Sequence, residues 1–107
     1  MSRTPIHAGE ILKDELEELD ISCAELARQI DVPANRISKI VAGKRAITAE
    51  TALLLGKWFG ISPTFWLNLQ QSYDLKIAQR DIGKKIDQIQ TRKWPSNPAE
   101  LGLLTDA

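Results

Sequence analysis

Between Val32 and Ala49 the chain carries four bases, Arg36, Lys39, Lys44 and Arg45, and no acid. Asn35 and Ser38 lie among them, so this short window gathers positive charge and hydrogen-bonding groups. These types match the edges of base pairs: asparagine pairs with adenine, and Arg36 or Lys39 with guanine O6 and N7. Ala34 offers a small apolar group for a thymine methyl. Lys44 and Arg45 suit phosphates, which position a protein on a duplex without reading its sequence. The amide end of a helix opening at Ser22-Cys23 suits a phosphate as well. A merely solvated helix face mixes both signs, so the missing acids point to an anionic partner.

Other chemistries find too few participants. One cysteine and one histidine exclude an internal disulfide and fall short of a Cys/His zinc site. Cys23 at a helix start has some thiolate character but no resolving partner, and a small, partly exposed residue is the plainer reading. His7 stands just ahead of the first helix, as a cap or an exposed side chain. Asp14, Glu17 and Glu18 share a highly charged face where nothing raises one carboxyl to act as an acid. No enzyme activity, metal or cofactor is expected.

The elements that must position the basic window read as helices joined by short turns, with nothing strand-like. Ile11-Leu12, Leu16 and Leu19 make an amphipathic first helix ending near Asp20. Ser22-Cys23-Ala24-Glu25 has the form of a capping box, so a second helix starts at Cys23 and buries Leu26, Ala27 and Ile30. It is short, because Asp31-Val32-Pro33 interrupts it. Pro33 fits the first position of a third helix, where its missing N–H costs nothing. That helix turns Ile37, Ile40 and Val41 inward and Ala34, Asn35, Arg36, Ser38 and Lys39 outward, and Ala42-Gly43 stops it. Thr48 and Glu50 start a fourth helix lined by Ala52, Leu55 and Phe59, ending at Gly60. Ser62-Pro63 opens a fifth, on which Phe65, Leu69, Tyr73 and Ile77 recur every four residues with Trp66 beside them. Ile82, Ile86 and Ile89 resume the pattern after a phase shift near Gly83. The segment from Trp94 to the end reads as a short helical turn or a loose tail.

Two short helices joined by a tight turn, the second opening on polar and basic residues, form the helix-turn-helix layout. Its second helix enters the major groove while the first crosses the backbone. The chain's 107 residues make one domain, two at most. The division expected is a DNA-binding domain over 1–80 and a helical extension with a tail over 81–107. Fourteen Lys+Arg balance fourteen Asp+Glu, yet six acids and one base occupy Glu10 to Asp20. Local field rather than net charge therefore selects partners. No apolar run approaches the roughly 18 residues of a membrane span, and no secretory signal follows Met1, so a cytoplasmic protein with no membrane partner is expected.

Gly9-Glu10-Ile11-Leu12, Glu25-Leu26-Ala27-Arg28, Val32-Pro33, Arg36-Ile37 and Gly43-Lys44-Arg45-Ala46-Ile47-Thr48 resemble segments of the HigA antitoxins. So does Ser62-Pro63-Thr64-Phe65-Trp66-Leu67-Asn68-Leu69-Gln70, the most specific of them. That family is a branch of the Xre-type helix-turn-helix repressors, some of them called virulence-associated protein I. The resemblance runs from about residue 6 to about residue 78. It implies an all-α, lambda-repressor-like domain of five helices, here with a C-terminal helical extension. It also implies a homodimer on a palindromic operator of double-stranded DNA upstream of its own operon. The partner implied is a small basic HigB-type toxin, an mRNA endonuclease held inactive. By position, Ala34, Asn35, Arg36, Ser38 and Lys39 fall on the recognition helix, with Lys44 and Arg45 on the phosphate-facing loop. The family often has glutamine at the position of Cys23 and glycine at that of Asp31; aspartate tolerates the left-handed turn.

The fifth helix carries more apolar surface than a lone domain covers. Phe65, Trp66, Leu69, Tyr73 and Ile77 are accordingly expected at a dimer interface, since two-fold dimers match half-sites about 34 Å apart. The acidic first helix, through Glu17 and Glu18, is the surface expected to meet a basic toxin. A solitary repressor without a toxin is the alternative within the same class. An interaction protein that has lost DNA binding is the alternative outside it.

Overall fold

A computed structural model describes residues 5–93 and holds five helices: α1 (Ala8–Leu19), α2 (Cys23–Gln29), α3 (Ala34–Val41), α4 (Ala49–Phe59) and α5 (Pro63–Gln88). Among the described residues there is no strand, and the all-α architecture is the one expected. The tail from Trp94 lies outside the described residues. One core draws on every helix: Leu12 and Leu16 from α1, Leu26 and Ala27 from α2, Ile37 and Ile40 from α3, Ala52 and Leu55 from α4, and Trp66 from α5. Around it α2 packs on α3, α1 on α3 and α5, and α4 on α5.

The helix starts are fixed by local hydrogen bonds. His7 Nδ1 accepts from the Gly9 N–H at 2.9 Å, and Glu10 Oε2 accepts from the His7 N–H at 3.1 Å. The capping box of α1 is thus built on a histidine. His7 is also buried, and its ring meets Tyr73 of α5 edge-on at 4.8 Å. At α2, Ser22 Oγ accepts from the Glu25 N–H at 3.0 Å as the spacing predicts. The return arm of that box is absent. The Glu25 carboxylate instead accepts from Arg28 and Gln29, three and four residues on, where a charged donor outcompetes a backbone amide. Those bonds, Arg28 first and then Gln29, hold the exposed Glu25 carboxyl down at about 2.

The helix ends share one device. Asp20, Asp31, Gly43 and Gly60 all take left-handed backbone, with φ of 56°, 59°, 76° and 74°. In each case the next residue's N–H returns to the helix: Ile21 to Leu16 O, Val32 to Ala27 O, Lys44 to Lys39 O and Ile61 to Gly56 O, at 2.8–3.0 Å. The carbonyls left over at the helix ends are satisfied in this way. Pro33 corrects one expectation. It is the extended N-cap of α3 (ψ 142°) rather than its first helical residue, because the left-handed Asp31 has already reversed the chain and Pro33 carries it into the new helix.

Helix α5 corrects another. The buried positions are Trp66 and Gln70, one residue out of phase with the Phe65-Leu69-Tyr73-Ile77 stripe. Leu69, Tyr73 and Ile77 are half-buried, and Phe65 is exposed. Trp66 has no exposed surface at all, so it belongs to the protomer's own core and not to a dimer surface. The helix continues past residue 80 and kinks at Ile82 (φ −119°, ψ 17°), beside the glycine where the phase shifts.

The tightest constraint in the bundle is at Gly9. A Cβ added there would lie 1.8 Å from the carbonyl oxygen of Ile40 and 2.7 Å from its carbon. Gly9→Ala is therefore expected to lower unfolding stability by about 3 kcal/mol, as read by urea titration. A loss near zero would mean that α1 slides freely along α3.

Candidate nucleic-acid interface

The turn through Asp31, Val32 and Pro33 joins α2 to α3 and leaves one face of α3 open. Ala34, Asn35, Ser38 and Lys39 are exposed on it, while Ile37 and Ile40 are buried on the other side. The spacing 34, 35, 38, 39 places these four along a single stripe. Ser38 Oγ donates to the Asn35 carbonyl at 3.3 Å, which ties two of the candidate readers together.

Arg36 stands apart from this stripe. Its side chain is 23% exposed, and Nη1 donates to Glu50 Oε1 at 3.0 Å. Its Nε is buried without a partner. The acid-free window in the sequence stops one residue short of this acid, which returns in the first turn of α4.

Lys44 and Arg45 are exposed on the loop between α3 and α4. Among the described residues no acid forms an ion pair with Lys39, Lys44 or Arg45. That loop is clamped at both ends. The Lys44 N–H donates to Lys39 O at 2.8 Å, tying it to the last turn of α3. Ile47 is buried, and its N–H donates to Gln70 Oε1 at 2.8 Å. Gln70 Nε2 in turn donates to Asp74 Oδ1 at 3.0 Å. Sequence reasoning gave Gln70 no task, because a polar residue is not counted into a helix's buried stripe. The one signal was its place four residues after Trp66.

At the start of α2, the Ser22 hydroxyl is occupied by its own cap, and Cys23 is half-buried against the core. The α3 stripe thus leads directly into the basic loop, α2 packs on α3, and Arg36 is bonded to the first turn of α4. Among the described residues no group of His, Cys, Asp and Glu is arranged to hold a metal, and no helix is long and apolar enough to cross a membrane.

A short helix, a left-handed turn and a second helix with a polar, basic outer face define a helix-turn-helix module. The helix-turn-helix family profile matches residues 12–66. Virulence-associated protein I of Dichelobacter nodosus is 47% identical over 77 residues, 71% of each chain. An addiction-module antidote protein of the HigA family from Coxiella burnetii superposes with a TM-score of 0.82 at 50% identity, covering 85% of this chain and all of the other. The Pseudomonas aeruginosa antitoxin HigA, solved with the higBA promoter, gives 0.80 at 46% identity over 83% and 99%. The chain belongs to the HigA family of helix-turn-helix antitoxins. Of these relatives, one is an antidote protein of the HigA family and one an antitoxin solved with promoter DNA.

The loop clamp is open to test. Gln70→Ala leaves the buried Ile47 N–H without an acceptor and is expected to cost about 1–3 kcal/mol. Hydrogen exchange at the Ile47 amide should accelerate more than at amides of α1. Equal acceleration everywhere would show that Gln70 supports the core in general and not this loop.

Proposed function

We propose that the chain is a homodimeric, cytoplasmic operator-binding antitoxin that represses its own operon and holds a small basic HigB-type mRNA endonuclease inactive. The observation that carries the DNA side is the α3 stripe and its clamped loop, three of whose bases, Lys39, Lys44 and Arg45, have no acidic partner among the described residues. Base edges face Asn35, Ser38 and Lys39, with Ala34 against a thymine methyl and Arg36 at the flank. Lys44, Arg45 and the amides at Ser22-Cys23 hold phosphates and set register. The P. aeruginosa relative solved with its promoter supports this reading.

One α3 spans a half-site, so a palindromic operator needs two copies. The dimer surface proposed here is the outer side of α5. Leu75, Ile82 and Ile86 are exposed there at intervals of seven and four residues, which is one side of a helix, and the exposed Ile89 caps its end in extended backbone. Of the residues expected at the interface, Phe65 is exposed, Leu69, Tyr73 and Ile77 are half-buried on other sides of the helix, and Trp66 is withdrawn into the core. The toxin surface proposed is the acidic side of α1, where Glu17 and Glu18 are both exposed.

DNA binding is tested by fluorescence anisotropy on the duplex upstream of the gene, across a salt series. Affinity should exceed that for random duplex and fall steeply with salt, and Lys44→Ala should flatten the log–log slope by about one unit. Salt-independent binding, or none, contradicts the operator reading.

The toxin side is tested by co-purification from the native host. A stoichiometric small basic protein is expected with the wild-type chain. Reversing charge in Glu17→Lys/Glu18→Lys should release it while operator affinity stays unchanged. Retention of the toxin by that variant would move its site off α1.

A further inference from the structure

Arg36 is held in an unusual way for a residue expected to read DNA. It is the third residue of α3, on the flank between the exposed stripe and the buried face, and its stem is largely covered. The guanidinium is held through one nitrogen: Nη1 is bonded to Glu50 at 3.0 Å, while among the described residues Nε is buried with no partner and Nη2 makes no hydrogen bond. Glu50 itself is 75% exposed in its side chain and sits in the first turn of α4, where a carboxylate is favoured by the helix dipole.

We propose that Glu50 is the positioning residue for Arg36: it aims Nη2 at one base edge in each half-site without touching DNA itself. The inference rests on the operator reading above. Two arrangements compete. Arg36 either swings out and abandons Glu50, or stays tethered and contacts DNA with its free nitrogen. An exposed ion pair alone is too weak to forbid the swing. What decides is the acid left behind. Releasing Arg36 leaves an unpaired carboxylate at the edge of a surface that meets a polyanion, whereas the tethered pair brings no uncompensated negative charge to the duplex. A tethered guanidinium also has fewer rotamers to lose on binding, so its single contact is made at lower entropic cost. Glu50 therefore contributes to sequence preference although its own charge opposes DNA binding.

The test measures binding of wild type, Arg36→Ala, Glu50→Ala, Glu50→Gln and the double alanine variant. The ligands are the upstream duplex, a set with each half-site base pair replaced, and a random duplex. Thermal melts accompany them. Arg36→Ala and Glu50→Ala should each weaken specific binding roughly tenfold or more and flatten preference at the same base pair. The double variant should be no weaker than Arg36→Ala alone. Glu50→Gln, which keeps an acceptor for Nη1, should retain most of the preference, and random-duplex affinity should not fall. Unchanged or tighter specific binding by Glu50→Ala, with intact base preference, overturns the proposal. So does a uniform loss over all sequences, which would place Arg36 on a phosphate. If Glu50→Ala melts early, Glu50→Gln decides: loss of preference at a different base pair from Arg36→Ala also overturns it. A wild-type chain that does not discriminate its upstream duplex from random DNA overturns the operator reading together with this inference. Discrimination by wild type with unaltered Glu50 variants overturns this inference alone.

Discussion

The contact between Gly9 and the Ile40 carbonyl sets the geometry of the molecule. At that point the start of α1 lies against the last turn of α3 at a distance no side chain permits. Two residues earlier, His7 caps α1 and lays its ring against Tyr73 on α5. Within three residues the chain therefore joins α1, α3 and α5. Any change in the attitude of α3 relative to α5 has to pass through this junction. Tight interiors transmit such shifts instead of absorbing them.

The outward elements are held from behind by polar groups, not only by apolar packing. Gln70 receives the Ile47 N–H and passes a hydrogen bond on to Asp74, so the basic loop is anchored to the helix that also carries the exposed Leu75, Ile82 and Ile86. A satisfied buried amide of this kind specifies one arrangement where apolar contact alone tolerates several. In the proposed dimer, the surface that pairs two copies and the clamp that sets the loop lie on one helix. Half-site spacing and phosphate contact are then fixed by the same element.

Much of this was legible in the sequence, for identifiable reasons. Helix starts at Ser22, Thr48 and Ser62, and stops at Gly43 and Gly60, follow from capping chemistry that acts over four or five residues. The stripe Ala34, Asn35, Ser38 and Lys39 follows from helical spacing around Ile37 and Ile40. What escaped depends on partners distant in the chain. Glu50 is fourteen residues from Arg36 and Ile47 twenty-three from Gln70, and no local pattern marks either pair. The phase of α5 escapes for a different reason: Trp66 and a glutamine share the buried side, and hydrophobic periodicity discounts the glutamine. The Glu25 return bond gives way to Arg28 and Gln29, which lie one helical turn on and compete for the same carboxylate.

The central claim is that the open stripe of α3 and its clamped loop form the surface that meets DNA. Amide chemical shifts of the labelled chain, recorded while the duplex upstream of its gene is added, test it most directly. The account predicts the largest changes at Asn35, Ser38, Lys39, Lys44 and Arg45, smaller ones at Ser22 and Cys23, and none along the acidic side of α1 at Glu17 and Glu18. Changes concentrated on α1 or on the distal half of α5, with α3 unmoved, would contradict it.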